Sequence, residues 1–368
     1  MSTATTRPTS ATGRGRIDVL VVNAGSTSLK LDLVDEEEAA RRLESFADVD
    51  PAAVAAVAHR VVHGGERFRA PALVDDAVLA EIAELRALAP LHNTPALREL
   101  DVARRRFPRL PHVAVFDTAF HATIPPAAAT YAVPRRWREE WGVRRYGFHG
   151  LSVAWASERA PAVVGRPPEG LRLVVCHLGG GSSVTAVADG RSLDTTMGFS
   201  PNEGVPMATR SGSVDPGAIV SVLRRSGMDA DALDTALNHE SGMRGLAGGD
   251  GLMLELEQRA ARGDAAAALA FEVFVHRVAG AVAGMAVACR GIDVLVFTAG
   301  IGEHSPDVRE QVCRRLGFLG LAIDAARNAE AAGDCDLTAA GSTAAVAVVH
   351  AREEIVAARA ARALLRGR

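Results

Sequence analysis

Val19-Leu20-Val21-Val22-Asn23-Ala24-Gly25-Ser26-Thr27-Ser28-Leu29-Lys30-Leu31-Asp32-Leu33 and Leu173-Val174-Val175-Cys176-His177-Leu178-Gly179-Gly180-Gly181-Ser182-Ser183-Val184-Thr185-Ala186-Val187 share one plan. Each is an apolar strand, a turn of small residues and an alternating strand. Turns with so little side chain let a polyanion approach backbone N–H groups closely. Two such hairpins in one chain imply a duplicated fold that grips phosphates from two sides. The pattern points to phosphoryl transfer before any single catalytic residue is weighed.

Outward from the first hairpin, Pro51–Ala58 reads as helical and leads into Val61-Val62 and the turn His63-Gly64-Gly65. Asp75–Ala89 carries Val78, Ile82, Leu85 and Leu88 at helical spacing. Pro95–Phe107 reads as a second helix, and His112–Phe116 as a strand ending in Asp117. Phe120–Gly150 is rich in Pro, aromatic residues and Arg, and reads as an irregular functional loop or domain crossover. After the second hairpin, Asp194–Pro216 is turn-rich. Ala265–Arg290 reads as a long helix, and Ile292–Phe297 as a buried strand. The glycine turn Thr298–Glu303, a last strand Val346–Val349 and a last helix Glu353–Leu365 follow. Strands alternating with helices, and hairpins at matching places in two halves, define an α/β chain of two related domains.

Bulk properties narrow the function by exclusion. A length of 368 residues suffices for two domains. A net charge of −3 leaves no nucleic-acid footprint. The first sixteen residues are mostly Ser, Thr, Arg, Gly and Pro without an apolar run. They read as a disordered tail and not as a signal peptide. Phe271–Cys289 is the most apolar stretch, but His276 and Arg277 interrupt it, so it reads as a buried helix and not a membrane span. Cys176, Cys289, Cys313 and Cys335 lie far apart, fit no metal spacing and read as reduced thiols of a cytoplasmic protein.

Phosphoryl transfer needs positive charge on the equatorial oxygens, a metal bridging phosphates, and exclusion of water. Arg60 and Arg210 lie among glycines and small residues, off any amphipathic face, and guanidinium forks match carboxylate and phosphate oxygens. Asp117 closes an apolar strand, where an acid either holds Mg²⁺ through water or caps a turn. Glu353 and Glu354 open a helix, where acids also simply complement its dipole. His149 and His177 have glycine neighbours, which suits groups facing a ligand, though either reads equally as a core histidine.

Together these segments resemble the acetate kinase family. The N-x-G-S-S-S-x-K turn of that family is Asn23 to Lys30, its H-R-V-V-H-G-G is His59 to Gly65, and its P-L-H-N is Pro90 to Asn93. F-D-T-A-F-H is Phe116 to His121, and Y-G-F-H-G is Tyr146 to Gly150. D-T-x-M-G-F-(T/S)-P is Asp194 to Pro201, T-R-S-G-x-x-D-P is Thr209 to Pro216, and F-T-x-G-I-G-E is Phe297 to Glu303. All occur in the family's order from Val19 to the last helix.

The resemblance implies two duplicated ribonuclease H-like (actin-like ATPase) domains flanking a nucleotide cleft. Residues 17–121 with 355–368 would form one domain and 122–354 the other. By the same likeness, Arg60 and Arg210 hold the substrate carboxylate and the transferring phosphoryl group, and His149 bonds that group in the transition state. Asn23, Asp117 and Glu353 position Mg²⁺. Asn23, Ser26, Ser28, Lys30, His177, Gly179, Gly180 and Gly181 line the phosphates. Val62, Leu91, Phe148 and Pro201 form an apolar pocket for the acyl methyl group, while Asp250, Gly300 and Ile301 border the adenosine. The implied reaction is in-line transfer between ATP and acetate or propionate, giving an acyl phosphate and ADP, in a cytoplasmic homodimer.

Departures from the family pattern cluster on the nucleotide side. Gly180 stands where the second phosphate turn normally has Asn, and His304 replaces another Asn. The D-F-R adenine-side element survives only as Asp250-Gly251-Leu252, and the T-N-E-E before the last helix is Ala351-Arg352-Glu353-Glu354. The spacing from Asn23 to Arg60 is also shorter than usual. These changes leave two further readings: a carboxylate kinase using another phosphoryl donor such as pyrophosphate, and a nucleotide-binding relative without catalysis.

Overall fold

The computed structural model describes residues 18–24, 29–87 and 90–367, with the backbone alone for residues 87 and 90–92. The expected N-terminal tail, Ser26 and Ser28 lie outside the described residues, as does the side chain of Leu91.

Alternation of apolar residues builds two mixed sheets of six strands among the described residues. The first comprises β1 (Asp18–Ala24), β2 (Leu29–Val34), β3 (Ala40–Leu43), β4 (Val54–Val61), β5 (Ala72–Leu73) and β6 (His112–Phe116). The second comprises β7 (Arg172–Leu178), β8 (Ser182–Ala188), β9 (Arg191–Thr195), β10 (Val294–Thr298), β11 (Cys335–Asp336) and β12 (Ala345–Val348). Their orders are β3-β2-β1-β4-β6-β5 and β9-β8-β7-β10-β12-β11. In both, a three-strand antiparallel meander feeds three parallel strands, and a short antiparallel strand closes the edge. The duplication expected from the two hairpins extends to strand order and direction.

Both faces of each sheet are covered, so the central strands are apolar on both faces. On β1, Val19 and Val21 face the helix Glu353–Arg366 through Ala357, Ala358 and Ala361. Leu20 and Val22 face the opposite way, toward Ala103 and Phe107 of the second-helix region. On β7, Leu173 and Val175 meet Val153, Ala156 and Ala160 of the helix Gly150–Val163. Val174 and Cys176 meet the 24-residue helix Ala265–Ala288 through Phe274, Val278 and Val282. That helix is long and apolar enough to cross a membrane by length and composition. Here one side of it is the floor of the second core.

Several local expectations are corrected. Pro51–Ala58 is not a helix. Only Pro51–Ala53 makes a 3₁₀ turn, capped by the Asp50 side chain accepting from the Ala52 N–H. Val54 then starts β4, held between β1 and β6, and pairing on both sides overrides the helical preference of an alanine-rich run. The Pro90–Arg106 helix begins five residues before the Pro95 expected from sequence. Phe120–Gly150 is not wholly irregular, since it holds the short helices Pro126–Ala129 and Arg135–Trp141. The glycine turn after β10 is a short helix, Ala299–His304. His177 sits on β7, one residue before the strand's end, and not in the turn.

Candidate active site

The parallel strands of both sheets point their C-terminal ends into one cleft, where open α/β sheets ordinarily bind ligands. Asn23 comes from the end of β1, Arg60 from β4 and Asp117 from the residue after β6. From the other sheet come His177 of β7, the Gly179–Gly181 turn, and Ala299-Gly300 just past β10. The segment after β12 carries His350, Ala351 and Glu353 into the same space. All of these but Asp117, which is buried against Arg60, line a cleft of about 520 Å³.

Arg60 organises the first wall. Its Nε donates to Asp117 Oδ1 at 2.9 Å and its Nη2 to Asp117 Oδ2 at 2.6 Å, a bidentate fork. Nη1 donates to Asn23 Oδ1 at 3.0 Å and lies 3.4 Å from Glu353 Oε2, which also accepts from Asn23 Nδ2 at 3.4 Å. Burial works against the Arg60 charge, but the carboxylates of Asp117 and Glu353 outweigh it and raise the guanidinium pKa. Burial raises the Asp117 carboxyl, with Arg60 opposing the rise. Two carboxylates against one guanidinium leave this oxygen-rich wall net negative.

His149 enters from the chain crossover. It precedes the helix Gly150–Val163 in a left-handed conformation, φ 60°. Gly150 makes that approach possible, because a Cβ there would lie 2.0 Å from the Asp117 carbonyl oxygen. The His149 ring stacks on His177 with centroids 3.9 Å apart, and its Nδ1 lies 3.0 Å from Ser183 Oγ. Arg210 is held by the Pro201 carbonyl, to which Nη1 donates at 3.0 Å. Burial lowers its pKa.

Beside Arg210, Val62 and Phe148 form one buried apolar cluster with Met197 and Met207. Pro201 is buried next to it. Neither methionine stands out in the sequence as a pocket residue, although Met197 lies inside the D-T-x-M-G-F-S-P stretch. Arg145 fixes the wall behind them by donating to the carbonyls of Thr195, Thr196 and Met197 at 2.9 to 3.2 Å.

A second groove of about 330 Å³ adjoins the cleft and is mainly apolar, lined by Leu252, Met253, Leu254 and Ile301 beside Gly180 and Gly300. Asp250 is exposed and does not line it, whereas Gly251 and Leu252, the other two residues of the segment aligned to D-F-R, do. His304 borders both spaces and its Nδ1 lies 3.0 Å from the Gly300 carbonyl. Lys30 lines the outer cleft. Glu303 Oε1 accepts from the Ala299 and Ala351 N–H groups at 2.8 and 3.0 Å, joining the groove to the segment before Glu353.

Two matched sheets with a polar cleft between them define a phosphotransferase class, the duplicated ribonuclease H-like fold of actin-like ATPases. Within that class, the model described as the acetokinase family matches residues 39–359, and the chain belongs to that family. An acetate kinase of Deinococcus deserti is 50% identical over 314 residues, 85% of this chain and 78% of that protein. The crystal structure of a propionate kinase from Francisella tularensis subsp. tularensis SCHU S4 superposes with a TM-score of 0.86 at 34% identity, covering 94% of this chain and 98% of that one. Porphyromonas gingivalis acetate kinase gives 0.84 at 32%, covering 95% and 100%.

Proposed function

We propose that this chain is an acetate kinase that also takes propionate, catalysing reversible phosphoryl transfer between ATP and the carboxylate to give an acyl phosphate and ADP. The observation that carries this reading is Arg60, braced by Asp117 and Asn23, in one cleft with His149 and Arg210 beside a small buried apolar cluster. The acyl group rests on Val62, Phe148, Met197 and Pro201. Arg60 and Arg210 orient the carboxylate and spread positive charge over the transferring phosphoryl group. His149 donates to that group. The substrate carboxylate is itself the nucleophile, so no strong general base is needed. Asn23, Lys30, His177 and the Gly179–Gly181 turn cradle the phosphates, and Gly300 and Ile301 border the adenosine.

Mg²⁺ suits the wall around Arg60. Among the described residues no group of three acidic, His or Cys side chains forms a ready cage. Mg²⁺ typically takes one or two carboxylates and completes its shell with water and phosphate oxygens. Asp117 and Glu353 would hold it, with Asn23 beside them. An ion held there would supply positive charge against the phosphate oxygens. Asp250, exposed just before the groove residues Gly251 and Leu252, would border the adenosine from the rim.

The chain is further proposed to act as a homodimer in the cytoplasm. Exposed Val214, Val220, Val222 and Met228 in the second half supply apolar surface for a partner copy, and four free cysteines suit a reducing compartment.

A hydroxamate assay for acyl phosphate, with ATP and Mg²⁺, tests the reading on acetate, propionate and butyrate. Acetyl and propionyl hydroxamate are expected, with little butyryl product. Product with pyrophosphate but not ATP would replace the donor. Nucleotide binding without product from any short acid would replace the enzyme reading.

A further inference from the structure

The second hairpin does more than line phosphates. In the β7–β8 register His177 stands directly opposite Ser183. Residues opposite each other in an antiparallel ladder share a face. His149 lies over that pair, its ring stacked on His177 at 23° from parallel and its Nδ1 on Ser183 Oγ. Ser183 is fully buried. The other ring nitrogen, Nε2, faces the phosphate turn, because a Cβ on Gly181 would meet it at 3.2 Å.

Which nitrogen carries the proton then decides what the ring can do. Burial first, then the charges of His177, Arg60, Arg210 and His121, hold the His149 pKa well below its ordinary value. A neutral imidazole has one N–H and one lone pair. With the proton on Nδ1, the ring would turn a lone pair toward an anionic phosphoryl group. With the proton on Nε2, it donates to that group, and Nδ1 must accept a hydrogen bond from elsewhere. A serine hydroxyl can supply that donor.

We infer that Ser183 is a positioning residue, whose hydroxyl donates to His149 Nδ1 and so sets the ring proton on Nε2, facing the phosphates. The same arrangement recurs beneath it, where His177 Nδ1 lies 2.8 Å from the buried Ser152 Oγ. The inference rests on the phosphoryl-transfer reading above.

Histidine-selective ¹⁵N labelling of the full chain tests it without turnover, with the His149 signal identified by its loss in His149→Gln. The wild type is expected to show a protonated Nε2 and an acceptor Nδ1. In Ser183→Ala that preference is lost and kcat falls about 10- to 100-fold, the scale of outer partners that orient a functional histidine. KM for acetate and ATP stays within about threefold, because the lost interaction belongs to the transition state. Ser183→Thr keeps the hydroxyl and restores both the tautomer and most of kcat. A wild-type ring protonated on Nδ1, or Ser183→Ala with unchanged tautomer and turnover, overturns the inference. Wild-type protein that forms no acyl phosphate would instead sink the phosphotransferase reading, while the tautomer still decides the role of Ser183.

Discussion

Arg60 engages three nitrogens with Asp117, Asn23 and Glu353, whereas across the cleft the groove beside Gly300 is walled mainly by Leu252, Met253, Leu254 and Ile301. The first side holds charged groups in one geometry before substrate arrives, the condition under which electrostatic stabilisation of a transition state is largest. The second side offers backbone, apolar area and few directed polar groups. Changes on the first side therefore act on turnover and are steep, while changes on the second act on affinity and are gradual. Gly180, His304 and the altered D-F-R segment, departures from the family pattern, fall on that second side.

The steepest expected effect is Arg210→Ala, which removes a cation from the transferring group. Its kcat in the hydroxamate assay should fall about 1000-fold. Near-normal turnover would erase the contrast between the two sides.

Acid should act next, through buried histidines around the cleft. His63, His121 and His177 are buried, and burial lowers each pKa to about 4. The unfolded chain binds these protons near pH 6.5, so the stability the neutral rings contribute is present above that pH. It is lost as pH falls from 6.5 toward 4, by about 3 kcal/mol per imidazole at the low end. Denaturant unfolding at pH 7 and pH 4.5 would measure this, and equal midpoints would refute it.

A smaller effect is expected for Val62→Ala, which enlarges the apolar cluster with Phe148, Met197 and Met207. The butyrate-to-acetate ratio of kcat/KM should rise about tenfold, the scale of one methylene in an apolar pocket. An unchanged ratio would remove Val62 from the acyl wall. The mildest change is Gly180→Asn on the nucleoside side. Nothing lies within 4 Å of a Cβ there. The added amide should lower KM for ATP about threefold, as one hydrogen bond allows, with kcat unchanged. A loss of kcat instead would show that this side is as tightly ordered as the other.

Legibility from the sequence follows the same division. The strands His112–Phe116 and Ala345–Val348, the long helix and the last helix are nearly where periodicity places them, because each is a continuous apolar pattern. Pro51–Ala58 misleads because an alanine-rich run favours a helix in isolation, and the pairing that overrides this preference in β4 comes from residues 18–24 and 112–116, far away in sequence. Phe148 and Val62 can be matched to motifs, yet Met197 and Met207 join them only through the loops held by Arg145 and Arg210. Of the groove residues, Leu252 falls in the segment aligned to D-F-R, whereas Met253 and Leu254 carry no local signal until the fold sets them beside Ile301.

The last helix belongs to two structures at once: its start carries Glu353 into the cleft, and its alanine face covers the first sheet. Residues from 353 onward leave the ribosome after every strand has been made. A nascent chain can thus hold every strand of both sheets while its first sheet stays uncovered on one face and its cleft lacks a carboxylate. Competence comes late and all together, so a stalled chain holding every strand would have no working kinase site to release.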